Sequence, residues 1–536
     1  MSWLDRRRRR IRLGRRVWLS LDELVHMLIL GQSGKGKSKQ LENIARQLIW
    51  QSHTLTNPPC LIFLDPLGDS FDALVRWCIR QGFTEKLFLF NPNEPEHIIG
   101  YNPMKRIPHL PLGYQRKRKV VVHLKAWNQQ DSKQTPQISK WLSNAFGSVI
   151  EAGLTEVETP YLLDTDNNPY RGVILRRVTD ELILKDFKSL VQMKPWQRRE
   201  ETFGAPRRIR EFLDNDLVRR IITQQRRTLD LRQLIDTGSV LLINLRPYTD
   251  GLDPEDSKLL GTLLIDDIVQ TCFGRAPEAC TNDTVFIIDE FSDFVTSDIG
   301  KILQMGRHFR LKMILAHQHI TGVREDYPRI YADAMTNTPA KIVYGGVYED
   351  DLEALAKEMF TESIDLLEVK HAQKHTYFEP IETRRTTVHR RPSGLLFPGE
   401  TTAETVGPFH RQRRRQEVSS VQFWSRAEQF HRAKARLKGL KKREFAIKLP
   451  DQVEVVFDKT PFVRDVRLDE AELEQAKERI FTQRGCYSKI EQIEAEEQER
   501  LQGLIAEHRA ALKKYDEELN QDGKPKKKAP KIRKRP

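Results

Sequence analysis

The run Gly31-Gln32-Ser33-Gly34-Lys35-Gly36-Lys37-Ser38 fits the pattern G-x-x-x-x-G-K-[ST]. Glycines at this spacing permit a tight turn that aims several backbone N–H groups at one phosphate chain. In such a loop Lys37 reaches the β and γ phosphates and Ser38 ligates Mg²⁺, so ATP and Mg²⁺ are the expected cofactors. A P-loop also needs an acidic site to hold the metal and activate water. The apolar stretch Val285-Phe286-Ile287-Ile288 ends in Asp289-Glu290. Asp289 suits Mg²⁺ held through water, and Glu290 suits the general base for the attacking water. A base beside the metal residue argues for hydrolysis over passive nucleotide holding.

About one helix and one strand later come Gly306-Arg307-His308-Phe309-Arg310, then Leu311 to Ala316, then His317-Gln318-His319. An amide at the tip of a strand next to the acidic one can sense the γ phosphate and the water, and Gln318 is the candidate. His317 and His319 lie on alternate positions of an extended segment, which is not a complete metal site. Arg307 is a candidate arginine finger for a neighbouring subunit's nucleotide; a helix-surface arginine is the plainer alternative.

Elements in the right order surround these residues. Val17 to Leu30 reads as strand ending in the apolar Met27–Leu30, and Lys39 to Gln51 has helical spacing through Leu41, Ile44, Leu48 and Ile49. Further apolar runs at Cys60–Leu64, Leu87–Phe90, Val240–Leu245, Val285–Ile288, Met313–Ala316 and Ala340–Tyr344 are mostly separated by helical patterns. That alternation predicts an α/β fold with a mainly parallel sheet. The stretch between Leu87–Phe90 and Val240 far exceeds one crossover, and its segments Ile138–Ala152, Leu182–Met193 and Ile209–Gln225 read as helices, so an all-α subdomain is expected inside the sheet domain. The expected layout is a basic arm (1–17), a nucleotide-binding domain in two parts (18–105 and 229–382) around the helical insertion (106–228), an exposed linker (383–420), a helical C-terminal region (421–519) and a disordered basic tail (520–536). Ser488 to Leu519 reads as a long helix that packs on its own protein or docks a partner.

The net charge of +14 concentrates at the ends: eight arginines lie between Arg6 and Arg16, and eight Lys or Arg between Lys524 and Arg535. Such blocks are read as solvated and disordered, or as contacts to phosphate in nucleic acid or lipid headgroups. Within the body, Arg116–Lys119 and Arg411–Arg415 are the alternative basic patches. The five cysteines form no CxxC pair, which points away from zinc and disulfide frameworks and toward a reducing, cytoplasmic setting. No apolar run approaches the roughly 18 residues of a membrane span.

Several pieces in shared order resemble the conjugative type IV secretion coupling ATPases, the TraG/TraD-like group, relatives of the FtsK and HerA DNA pumps. They are His26–Leu30 before the P-loop, Leu64-Asp65-Pro66-Leu67-Gly68-Asp69, Tyr101-Asn102-Pro103-Met104, Leu229-Asp230-Leu231 leading into Gly238–Leu245, Asp289-Glu290-Phe291, and the Arg307-to-Gln318 spacing. The resemblance runs from about residue 18 to 365. It implies a RecA-like P-loop NTPase core, a ring of identical subunits, expected to be a hexamer, and DNA, taken as single-stranded and relaxase-linked, as the cargo. Relaxase or secretion-channel proteins are the implied partners. It also implies that Asp65 and Asp69 support the nucleotide site, though an Asp-Pro turn explains them as well. Family members commonly begin with transmembrane helices, and only thirty residues precede Gly31 here, so any membrane link is expected to come from a partner or from peripheral contact of the basic termini. A soluble HerA/FtsK-like ATPase of DNA processing or mobile-element defence, and a nucleotide-gated recruitment scaffold, are the alternative readings.

Overall fold

A computed structural model describes residues 8–127, 136–164, 168–248, 251–276, 281–294, 299–318, 324–325, 327–390 and 401–521. Its strands in chain order are β1 (Arg10–Arg12), β2 (Trp18–Ser20), β3 (His26–Leu30), β4 (Cys60–Asp65), β5 (Leu87–Phe90), β6 (His97–Ile99), β7 (Val240–Asn244), β8 (Thr284–Ile288), β9 (Leu311–His317), β10 (Ala340–Tyr344), β11 (Val369–Arg390), β12 (Thr401–Phe423), β13 (Glu444–Lys448), β14 (Val456–Lys459) and β15 (Tyr487–Lys489). The chain divides into two compact units, residues 1–352 with 437–536, and residues 353–436.

The first unit holds a sheet in the order β14-β13-β10-β3-β9-β8-β4-β7-β5. From β10 to β5 every pairing is parallel, while β13 and β14 add antiparallel beyond β10. Every residue of β3, β4, β7, β8, β9 and β10 is buried. A parallel sheet covered on both faces requires this, which is why its strands read as continuous apolar runs rather than alternating ones. At roughly 1.5 to 3 kcal/mol for each large side chain removed from water, these strands contribute substantially to stability. Register aligns the sheet's carboxyl edge: Leu30 lies opposite His317, and Ile288 opposite Leu315. The P-loop, the acidic pair and Gln318 therefore emerge from three adjacent strands, at the edge where ligands bind in open α/β sheets.

The insertion between β6 and β7 is helical, with Leu112–Ala126, Pro136–Glu151 and Glu181–Gln192 its longest helices. The helix expected over Ile209–Gln225 is two, Ala205–Leu213 and Asp216–Ile222, because Asn215 stops one and caps the next by accepting from the Leu217 N–H at 3.0 Å. The basic run Arg116–Lys119 is largely consumed internally. Arg116 pairs with Asp180 at 2.8 Å, Arg118 pairs with Asp266, and buried Lys119 meets Asp267 at 2.5 Å. The last two pairs tie the insertion to the helix Pro254–Phe273.

The C-terminal region is not wholly helical: β13 and β14 join the main sheet, and β15 pairs with β6. Phe445-Ala446-Ile447 is too short an apolar run, between charges, to show a period. The final helix, Ile490–Gln521, packs on the insertion, burying Ile493 and Leu504 and placing Arg500 against Glu158 at 2.8 Å.

The basic arm also departs from expectation. Residues 1–7 and 522–536 lie outside the described residues, but β1 pairs antiparallel with β2. Arg9 is 2% exposed, paired with Asp283 and donating to the Asn57 carbonyl at 3.1 Å. A cation surrounded by arginines in sequence reads as solvated. Here a buried carboxylate draws it in. Arg9→Ala should lower unfolding free energy by about 3 kcal/mol, the low end for breaking a buried pair, since Lys312 remains 3.7 Å from Asp283. Chemical denaturation checks this, and a loss below about 1 kcal/mol would show the pair to be dispensable.

The second unit is built around one antiparallel ribbon, β11 with β12, paired from Val369↔Phe423 to Arg390↔Thr401. The stretch expected as a linker thus lies largely in strands. Its described side chains are exposed, and its Arg, Thr and Pro content hid the pairing. Both faces are solvated, so no apolar alternation marks the strands.

Candidate active site

Helix Lys37–Thr54 begins directly after the glycine-rich turn, with Gly36 as its N-cap at φ 118° and no side-chain cap. Its first turn contains no acidic residue. The opening N–H groups and the positive end of the helix dipole are left for an anion from outside the helix. Gly34, at φ 77°, has nothing within 4 Å of where a Cβ would stand, so the loop faces open space there. Gly36 is constrained by both conformation and space, since a Cβ would come 3.3 Å from the Arg443 Cα. The loop is fixed from outside: the Gly31 N–H donates to the His317 carbonyl at 3.3 Å, and the Arg443 N–H donates to the Lys35 carbonyl at 2.7 Å. Gln32, Ser33 and Ser38 are exposed on it, and Lys35 is half-buried.

Lys37 is buried and points across to the acidic strand. Its Nζ lies 2.6 Å from Glu290 Oε1 and 3.7 Å from Asp289 Oδ1. Glu290 adopts φ 45°, a left-handed conformation that costs a non-glycine residue on the order of 1 kcal/mol or more. It is held by three side chains: Lys37, His317 Nδ1 at 2.6 Å from Oε2, and Gln318 Nε2 donating to Oε1 at 3.2 Å. Lys37, Asp289, Glu290 and Gln318 are thus brought together.

The two acids are driven apart electrostatically. Burial pushes Asp289 up to about 6; Lys37 opposes this, while Asp65 and Glu290 add to it. Burial also pushes Glu290 upward, but the His317 hydrogen bond and the Lys37 ammonium outweigh it and hold Glu290 down at about 2. One carboxyl is a poorly solvated group that a divalent cation would relieve, and the other is a fully charged acceptor. These residues fit a Mg–nucleotide: an uncapped helix terminus and Lys37 for phosphates, with Ser38 and Asp289 for the cation.

Three other residues fall differently. Arg307 is exposed on the turn Gly306–Phe309, before the start of β9. The seven residues of β9 separate it from Gln318, roughly 23 Å at about 3.3 Å per residue, so it is not brought to its own chain's site. Asp65 spends its carboxylate on local structure, accepting from the N–H groups of Leu67, Ser70 and Phe71 at 2.8–2.9 Å. Asp69 is exposed and pairs with Arg246 at 3.1 Å. The turn-forming reading fits Asp65, whereas Asp69 opens the following helix.

His317 is the residue that sequence reasoning passed over. Its carbonyl anchors the P-loop and its ring holds Glu290, with Phe291 edge-on at 5.8 Å. The available signal was its place beside Gln318 at the tip of a strand next to the acidic one. Spacing alone offers it only as half of an incomplete metal pair with His319. His319 lies outside the described residues, as does Cys280; the other four cysteines are buried. Among the described residues no helix is long and apolar enough to cross a membrane.

No protein-family description matches the sequence, and no curated protein matches it. Among solved structures, the unbound bacterial conjugative coupling protein TrwBdeltaN70 superposes with a TM-score of 0.53 at 13% identity, over 86% of this chain and 91% of that one. The plasmid coupling protein TrwB in complex with ADP and Mg²⁺ gives 0.52 at 13% identity, over 83% and 88%. The same protein with the ATP analogue ADPNP gives 0.50 at 14% identity, over 84% and 88%. The chain therefore has a RecA-like P-loop NTPase fold similar to that of the conjugative coupling protein TrwB.

Proposed function

We propose that this chain is an ATP-hydrolysing DNA translocase that works as a ring of identical subunits, a hexamer, and delivers relaxase-bound DNA to a type IV secretion channel. The observation that carries the ATPase reading is the meeting of Lys37, Asp289, Glu290 and Gln318 at the carboxyl edge of three adjacent strands. Likeness in fold to a coupling protein solved with ADP and Mg²⁺ supports the choice of motor.

The P-loop N–H groups from Gly31 to Ser38 and the Lys37 ammonium bind the phosphates. Ser38 and Asp289 would hold Mg²⁺, which when bound would supply charge neutralisation at the phosphates. Glu290 accepts a proton from the attacking water, and Gln318 orients that water and senses the γ phosphate. The ion pair between Lys37 and Glu290 adds a gate. A carboxylate held at about 2 is a weak base, because general bases work best with a pKa near the working pH. A phosphate competing for Lys37 would remove one of the cations that hold Glu290 down, leaving His317, and so raise its basicity when nucleotide is present.

His317 acts here as a positioning residue. His317→Ala should lower kcat about ten- to a hundredfold, the scale of a misplaced catalytic group, with KM changed less than about twofold. Steady-state kinetics separates the roles: a raised KM at unchanged kcat would place His317 in nucleotide binding instead.

The test of the whole reading is ATP hydrolysis by the full chain with and without single-stranded DNA. Stimulation by DNA is expected of a translocase. Hydrolysis indifferent to DNA would favour the nucleotide-gated scaffold.

A further inference from the structure

None of the residues placed at the candidate active site belongs to the ribbon β11–β12. Its strands are 22 and 23 residues long, about 70 Å at roughly 3.3 Å per residue. Most strands in globular proteins run about 3–10 residues, and an isolated two-stranded hairpin is marginal in water. Exposed apolar side chains along it, Phe378 at 58% and Val418 at 54%, lie uncovered within this unit.

Charge indicates what covers it. The two strands carry nine Lys or Arg against four Glu, with four histidines besides. The exposed cations gather in the stem, where Lys374 lies opposite Val418, Phe378 opposite Arg414 and Glu379 opposite Arg413. Arg415 pairs with Glu379 at 2.8 Å, an exposed pair that holds weakly. Among the described residues Lys374, Arg413 and Arg414 have no carboxylate partner. The opposite holds for Arg116, Arg118 and Lys119, each matched by an acid.

The ribbon is also held at its base. Trp424 follows β12 directly, its N–H donating to the Glu368 carbonyl at 3.0 Å. The ring is flanked by Lys370 at 4.8 Å and Arg432 at 4.5 Å, and these cations pair with Glu428 and with Glu368. Such an anchor gives a long arm a fixed root. Its own excess positive charge opposes pairing with a second copy and favours a polyanion.

We infer that the β11–β12 ribbon is a DNA-binding arm whose Lys374, Arg413, Arg414 and Arg415 contact the phosphodiester backbone. A two-stranded ribbon fits the roughly 12 Å major groove of a duplex, and phosphate contacts of this kind serve a single strand as well. The inference rests on the proposal that the chain handles DNA, and gives that proposal a place on the molecule.

The test compares the full chain with a variant carrying Lys374→Gln, Arg413→Gln, Arg414→Gln and Arg415→Gln, on a 30-base-pair duplex and a 30-nucleotide single strand across a salt series. Each lost contact lowers the slope of log affinity against log salt by about 0.9 on duplex and 0.7 on single strand. The variant's slope should fall by about 3 on at least one substrate, with affinity at about 0.1 M salt down tenfold or more. Basal hydrolysis should persist. A second variant, with the three arginines changed to Lys, should bind nearly as well as the parent, separating lost charge from lost folding. Unchanged slopes on both substrates, or a changed oligomeric state with DNA binding intact, would overturn the inference. Absence of DNA binding by the unaltered chain would sink both readings, whereas binding that never stimulates hydrolysis would sink only the motor.

Discussion

Lys37→Ala should reduce ATP hydrolysis to background, while Glu290→Gln should bind nucleotide and turn it over at least a hundredfold more slowly. The two variants break one ion pair from opposite ends, so their difference is informative. Lys37 is buried, and its ammonium serves both Asp289 and Glu290. Removing it takes away the loop cation for the phosphates and leaves two carboxylates close together, with only His317 and Gln318 still holding Glu290, a costly arrangement in a buried site. Mg²⁺–nucleotide affinity should fall as well as rate. Glu290→Gln keeps the shape, the contact to Gln318 and the proposed metal-holding Asp289, and it frees Lys37 for phosphate. Nucleotide affinity should therefore hold or rise while the water loses its base, an effect of about 10²–10⁴ on rate for general base catalysis. Equilibrium binding of a fluorescent ATP analogue beside steady-state turnover checks both. A Glu290→Gln protein that cannot bind ATP, or a Lys37→Ala protein that hydrolyses it normally, would refute the assignment.

Much of the sheet was legible because buried parallel strands leave an unmistakable trace: seven apolar runs in the sequence, counting Met27–Leu30, are the seven strands from β10 to β5. The P-loop was legible because its residue types are dictated by backbone geometry, as Gly34 and Gly36 show with positive φ. What stayed hidden was held by long-range charge and by strands without an apolar face. Nothing local tells that Arg9 meets Asp283, 274 residues away. Nor does spacing reveal that His317 turns toward Glu290, since that depends on the left-handed backbone at Glu290 and on two strands lying side by side. The parts of β11 and β12 that lie within 383–420 read as linker because their stabilisation lies in cross-strand pairing between polar residues, which no periodicity records.

Arg307 supplies the sharpest test of the ring. The turn carrying it precedes β9, whereas the P-loop, Glu290 and Gln318 occupy the opposite end of that strand and its neighbours. An arginine side chain spans about 7 Å, so a separation near 23 Å along the strand rules out direct action on its own chain's nucleotide. If Arg307 stabilises charge on the transferring phosphate, it does so in an adjacent subunit, where such fingers are worth about 10³–10⁵ in rate. Arg307→Ala should then abolish most hydrolysis while each chain still binds ATP. Mixed with Lys37→Ala protein, it should recover part of the activity, because some interfaces of a mixed ring pair an intact loop with an intact Arg307. With random exchange in equal proportion, one interface in four has both. Recovery should peak near the equal mixture and vanish when subunits cannot exchange. A normal rate for Arg307→Ala alone would make it an ordinary surface arginine. An inactive Arg307→Ala that no exchanging mixture rescues would mean that the residue supports the fold of its own chain, and that the finger lies elsewhere.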